Sequence, residues 1–138
     1  MRILVWLADD TWEACVDAAR GLVGDVTLLY VVDVDTAVAM SGQVGLLGRS
    51  APAPGGQMLS EAGGALLAVA ETRLGRDAQM VMRWGRPEHE VVDVAGQADL
   101  LVVARDGDRR RPGPRSLGHA TRFVVDHAAS AVLLVWPE

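Results

Sequence analysis

The sequence predicts a doubly wound, Rossmann-like α/β fold: a five-stranded parallel sheet with helices on both faces. Three observations predict it. Five short apolar runs, at residues 3–8, 26–32, 78–84, 100–104 and 131–136, are rich in Val and Leu with little polar alternation. That is the pattern of strands buried on both faces. The segments between them place apolar residues at helical spacing. The two patterns alternate along the chain, and such alternation builds a parallel sheet through right-handed crossovers.

The first run begins at Ile3 and ends before Asp9-Asp10. A helix follows, with Trp12, Cys15, Val16, Ala19, Leu22 and Val23 on one face. Asp10 and Glu13 have the spacing of a capping box, and Gly24 reads as the stop. The second run leads into residues 34–56, which contain Gly42, Gly45, Gly48, Pro52, Pro54, Gly55 and Gly56. A connection that long in a compact domain is a lid, a binding loop or a disordered stretch. The expectation here is a mobile lid, with a short helical turn around Val44, Leu46 and Leu47. A second helix presents Leu59, Ala62, Leu66, Val69, Arg73 and Leu74 and ends near Gly75. The third starts at Pro87, a favoured first helical position, and shows Val91, Val94, Ala95 and Ala98. The fourth carries Ala120, Phe123, Val124, His127 and Ala128 before the last run.

At 138 residues the chain suits one domain over 1–138, large enough for a core without metal or disulfide staples. The formal charge is -5 and all 13 basic residues are Arg. An acidic domain argues against non-specific nucleic-acid binding. The lone Cys15 excludes an intramolecular disulfide and suggests a reducing compartment. The first residues read as a strand rather than a signal peptide, and no window reaches the ~18 apolar residues of a membrane span. A cytoplasmic location with no membrane partner is expected.

The fourth run, ending at Ala104, delivers the chain into Arg105-Asp106-Gly107-Asp108-Arg109-Arg110-Arg111 and on to Arg115, and then to a helix start at Ser116-Leu117-Gly118-His119. Amides at a helix N-terminus favour anions. Glycines allow close backbone approach, and arginines grip phosphate oxygens in pairs. A phosphate site and a solvated basic loop are even alternatives on this chemistry. Asp9 or Asp10 can touch a ribose or hold a cation beside phosphates, although helix capping is the simpler role for both. His119 can offer an imidazolium to a phosphate, or stand as a neutral surface residue. His127 is read as packing and His89 as exposed. No nucleophile–base pair, zinc spacing or Walker loop is present, so no enzymatic activity is expected and a slow phosphohydrolase using Asp9 or Asp10 ranks last.

Taken in order, these pieces resemble the universal stress protein family. They are Ile3-Leu4-Val5, Leu28-Leu29-Tyr30-Val31-Val32-Asp33, Gly85-Arg86-Pro87, Asp99 through Val103, Val124 through Ala128, and Val132 through Val135. The resemblance implies a five-stranded parallel fold, frequent dimerisation and, in one branch, ATP binding. That branch carries Gly, two residues, Gly, nine residues, Gly, then Ser or Thr. Here Ala104 stands at the first glycine, Gly107 matches the second, ten residues intervene, Gly118 matches the third and His119 replaces the hydroxyl residue. By resemblance Val32 lies against an adenine ring. The implied ligand is ATP or AMP, with or without Mg2+, bound by Asp9, Asp10, Val32, Ala104, Arg105, Gly107, Arg115, Gly118 and His119.

The last run is an apolar edge strand, and exposed edges are covered or paired. A homodimer joined along it is expected, acting in regulation or stress response. The alternative is a dimeric scaffold of the same fold that has lost nucleotide binding, which the altered glycine spacing and His119 favour.

Overall fold

The computed structural model describes residues 1–45, 54–111 and 116–137. Five strands form one parallel sheet: β1 (Arg2–Trp6), β2 (Asp25–Asp33), β3 (Gln79–Gly85), β4 (Leu100–Ala104) and β5 (Ala131–Val135). Their spatial order is β3-β2-β1-β4-β5. The central strand β1 pairs on both sides, with Val5 opposite Leu28 of β2 and Val102 of β4. The chain winds outward from β1 to β3, then crosses back to lay β4 on the other flank. The strand order therefore reverses between β1 and β4, and ligands of such sheets bind beyond the carboxyl ends at that point.

The uniform Val and Leu runs are explained by cover on both faces. Ile3, Val5 and Leu7 belong to one apolar cluster with Val26, Leu28, Tyr30 and Val32, beneath α1 (Trp12–Arg20). Leu4 belongs to the other, with Leu29, Val31, Leu101 and Val103. Val91 and Ala95 of α4 (Pro87–Ala95) and Val124 of α5 (His119–His127) close that second face. The expected doubly wound architecture is thus the observed one.

Three local expectations are corrected. Helix α1 ends at Arg20 with Gly21 as its C-cap, not at Gly24, and its N-cap is Thr11 without a side-chain bond. Asp10 and Glu13 therefore form no capping box. The Thr11 and Trp12 amides turn back to the Ala8 carbonyl instead, and Glu13 meets Arg73 at 3.5 Å. The second correction concerns residues 34–56. Helix α2 (Val34–Gly45) begins directly after β2, and α3 (Pro54–Leu74) begins at Pro54. The Asp33 carboxylate accepts from the Asp35 amide at 2.9 Å, a side-chain cap that turns strand into helix with no loop between. Residues 46–53, with Leu46, Leu47, Gly48 and Pro52 of the expected lid, lie outside the described residues. Third, α3 buries Gly63, Leu67, Ala70 and Leu74, while Ala62 and Val69 of the expected face are exposed.

Candidate functional site

A cavity of about 200 Å³ opens at the carboxyl ends of β1 and β2. The exit of β1 supplies Trp6, Leu7, Ala8 and Asp9, and β2 supplies Tyr30, Val31 and Asp33. Thr36 of α2, Leu59 of α3 and Pro87 of α4 complete it. These side chains meet because parallel strands all end on one side of the sheet, and the following helices start there. A larger groove of about 590 Å³, lined by Arg2, Asp25, Gln79 and Arg83 among others, lies at the opposite end, where the strands begin. Doubly wound folds do not place ligands there.

Two carboxylates line the smaller cavity and, among the described residues, no basic side chain does. The Asp9 carboxylate acts on the Tyr30 phenol. The Tyr30 phenol is pushed above its ordinary range by burial first and by the Asp9 charge second. One Asp33 oxygen is taken by the cap of α2. Val32 is fully buried in the core, so its neighbours Val31 and Asp33, rather than Val32 itself, face the cavity. Asp10 is exposed and does not line it.

The exit of β4 stands beside that of β1. Ala104 is its last residue and pairs with Val135. The Arg105 amide prolongs this pairing to the Val135 carbonyl at 2.7 Å. The Arg105 guanidinium donates to Ser116 Oγ at 2.7 Å and lies 5.0 Å over the Trp136 ring. The Asp106 amide donates to the Ser116 carbonyl, and the Gly118 amide donates to the Asp106 carboxylate. Gly107 sits at φ 90°, a left-handed conformation that favours glycine. Gly118 has an ordinary φ of -68°, but an added Cβ there would lie 2.7 Å from Asp106 Oδ2. Both glycines are thus explained by the loop's own packing. His119 is the exposed first residue of α5, and Arg115 lies outside the described residues.

The structure places Asp9, Arg105, Gly107 and Gly118 beyond the carboxyl ends of β1 and β4, and of these Asp9 lines the cavity. Sequence reasoning missed Trp6, Tyr30, Asp33 and Pro87 as cavity walls. A signal existed for three of them: Trp6 and Asp33 end strands and Pro87 starts a helix, where doubly wound folds present side chains. His127 packs on Phe123 of its own helix, although it is exposed. Its ring stacks on Phe123 at 4.2 Å, and its Nδ1 lies 2.8 Å from the Phe123 carbonyl oxygen. His89 is exposed and packs against the same Phe123 ring, with centroids 4.8 Å apart.

A sequence profile of the universal stress protein family matches residues 4–135. The chain belongs to the universal stress protein family. No individually curated protein sequence matches it. Among solved structures, the universal stress protein resembles hypothetical protein MJ0577, with a TM-score of 0.72 at 19% identity over 98% of this chain and 94% of that one. It resembles the universal stress protein UspA from Lactobacillus plantarum, with a TM-score of 0.64 at 25% identity over 98% and 97%. A universal stress protein family protein from Arabidopsis thaliana, solved with AMP bound, gives 0.65 at 16% identity over 99% and 91%. Among the described residues no helix of this family member is long and apolar enough to cross a membrane. Nor does any group of three or more His, Cys, Asp or Glu there suit a metal ion.

Proposed function

We propose that this universal stress protein binds an adenine nucleotide, ATP or AMP, and acts as a regulatory homodimer rather than as an enzyme. One observation carries the reading. A cavity lies at the carboxyl ends of β1 and β2, and the strand order reverses on the other side of β1. The AMP held by the Arabidopsis relative of the same fold supports it. The apolar walls from Trp6, Val31, Leu59 and Pro87 suit a flat base, and Asp9 and Asp33 suit ribose hydroxyls. Binding without chemistry fits a site whose described residues offer no nucleophile poised against a base. The only thiol, Cys15, is buried, and burial pushes it up to about 12. That single reduced thiol fits a cytoplasmic setting.

The second reading is a dimeric scaffold without a nucleotide. The contact between Asp106 and Gly118 favours it, because the Asp106 carboxylate accepts from the Gly118 amide that a phosphate would otherwise engage. Titration calorimetry separates the two. Heat that saturates below millimolar AMP or ATP is expected. Absence of heat with every adenine compound at millimolar concentration leaves the scaffold.

A further inference from the structure

We infer that β3 is a second self-pairing edge of the sheet, which takes β3 of another copy of this chain antiparallel about Met82. Strand β3 closes the sheet on the side away from β5. Among the described residues its backbone bonds only to β2, with Met80 opposite Leu28, Met82 opposite Tyr30 and Trp84 opposite Val32. Its outer N–H and C=O groups therefore form an open ladder, seven residues long against five in β5. Such edges are normally blunted by Pro, Lys, a bulge or an inward charge. Gln79–Gly85 carries a single charge, on Arg83, and its pairing with β2 runs unbroken.

The side chains make this edge complementary to itself. Met80, Met82 and Trp84 share one face, because strand side chains alternate. Helices α2 and α3 pack beside β3, and α3 reaches that face at Met82. Ser60 Oγ lies 3.5 Å from Met82 Sδ, and a Cβ at Gly63 would come 3.1 Å from Met82 Cε. Met80 and Trp84, on either side of that crossing, stay 48% and 47% exposed. Two half-covered apolar side chains thus stand symmetrically about Met82. A twofold axis there sets Met80 of each copy opposite Trp84 of the other. Directly opposed side chains on one face are the pairs that stabilise antiparallel sheets, and a thioether against an aromatic ring is a favourable one. On the other face the same register sets Arg83 against Val81. The Arg83 guanidinium is matched within its own chain, by Glu90 at 3.5 Å and Asp93 at 3.3 Å. Moving the axis one residue on, to Arg83, would oppose two guanidiniums directly, which destabilises a strand pair. The occupant is a second copy rather than a foreign strand, because the match is with the reversed sequence of β3 itself. Pairing there leaves β5 open, so the two edges together build assemblies larger than a dimer.

Disulfide trapping in the full chain tests the register. In the double variant Met80→Cys/Trp84→Cys, the new thiols of opposed copies have Cβ atoms about 4.5–5.5 Å apart, near enough to bridge after a small adjustment. Under a mild oxidant this variant is expected to form a covalent dimer, on a non-reducing gel, at least about tenfold faster than Met80→Cys or Trp84→Cys alone, whose thiols the register holds apart. Cys15 is buried and common to all three, so it does not affect the comparison. Equal rates in the double and single variants overturn the pairing. Sedimentation of the unsubstituted chain is an independent check. Species larger than a dimer are expected at about 300 micromolar, and Trp84→Glu is expected to move their appearance to at least about tenfold higher concentration. A dimer and nothing larger at that concentration overturns the inference, as do larger species that the folded Trp84→Glu protein forms equally well. Both substituted positions are half-exposed, and folding is checked by circular dichroism. The sedimentation of the unsubstituted chain decides even if a variant does not fold.

Discussion

Tyr30 is the only tyrosine in the chain, which makes one residue of the candidate site directly visible. Its phenol is buried and feels the Asp9 charge, and both circumstances favour the neutral form. A phenolate titration followed by ultraviolet absorbance is expected to have a midpoint above the ordinary value of about 10. In Asp9→Asn the midpoint is expected to move down and stay above that value, because burial is the larger cause. An unmoved midpoint would separate Asp9 from Tyr30. The sign for stability follows from linkage. The folded state holds this proton more tightly than the unfolded chain, so Tyr30 contributes fully below about pH 10 and its contribution is lost as pH rises through the folded midpoint. Adenine ligands that engage Asp9 should shift the same titration, giving binding a spectroscopic readout.

The two adjacent glycines of α3 behave as opposites. A Cβ at Gly63 would fall 2.4 Å from Tyr30 Cδ1 and 2.6 Å from Cε1, whereas one at Gly64 meets nothing within 4 Å. Gly63 is where the helix lies flat on the ring that floors the site; Gly64 faces solvent. Gly63→Leu is expected to lower stability by about 1–3 kcal/mol through overpacking, and Gly64→Ala to raise it by roughly 1 kcal/mol through helix propensity. Urea unfolding midpoints should move in opposite directions. Movement in the same direction would mean that α3 does not pack on Tyr30 in this way. Helix α3 is also tied to α1, since Arg73 makes paired bonds to Asp17 at 2.7 and 2.8 Å. The Arg73 partner holds the Asp17 carboxyl below its ordinary range. That contribution is present above the unfolded carboxylate value of about 3.9 and is lost as pH falls through the folded one.

For the molecule as a whole, β5 is an outer strand of the sheet, with Val132, Leu133, Leu134 and Val135 only partly buried. Four consecutive half-covered aliphatic residues on an open ladder call for a partner. A second copy joined along β5 would cover them and would place two β4–α5 loops near one interface. Sedimentation at micromolar concentration is expected to give a dimer, and a stable monomer would overturn that assembly. The other outer strand, β3, exposes Met80 and Trp84, but α2 and α3 pack beside it. Arg105 also reaches Trp136 just beyond β5, so the loop after β4 touches the end of the strand expected to join the copies.

The alternation of Val-rich runs with helical periodicity determined the fold class by itself, because burial on both faces leaves the inner strands few polar positions. The β4 boundaries and the Pro87 start were legible for the same local reasons. The ends of helices were not: Asp10 looks like a cap, yet the chain satisfies its amides by a backbone turn at Ala8. Glycines at 42 and 45 disguised α2, whose start depends on the Asp33 carboxylate folding back on Asp35. The glycine pattern of the β4–α5 loop could be counted in the sequence, but not what fills it. That Asp106 meets the Gly118 amide, twelve residues away, and that Asp9 meets Tyr30 across two strands are tertiary facts. Periodicity reports which faces are buried, whereas a binding site depends on which polar atoms have already found partners in the folded chain.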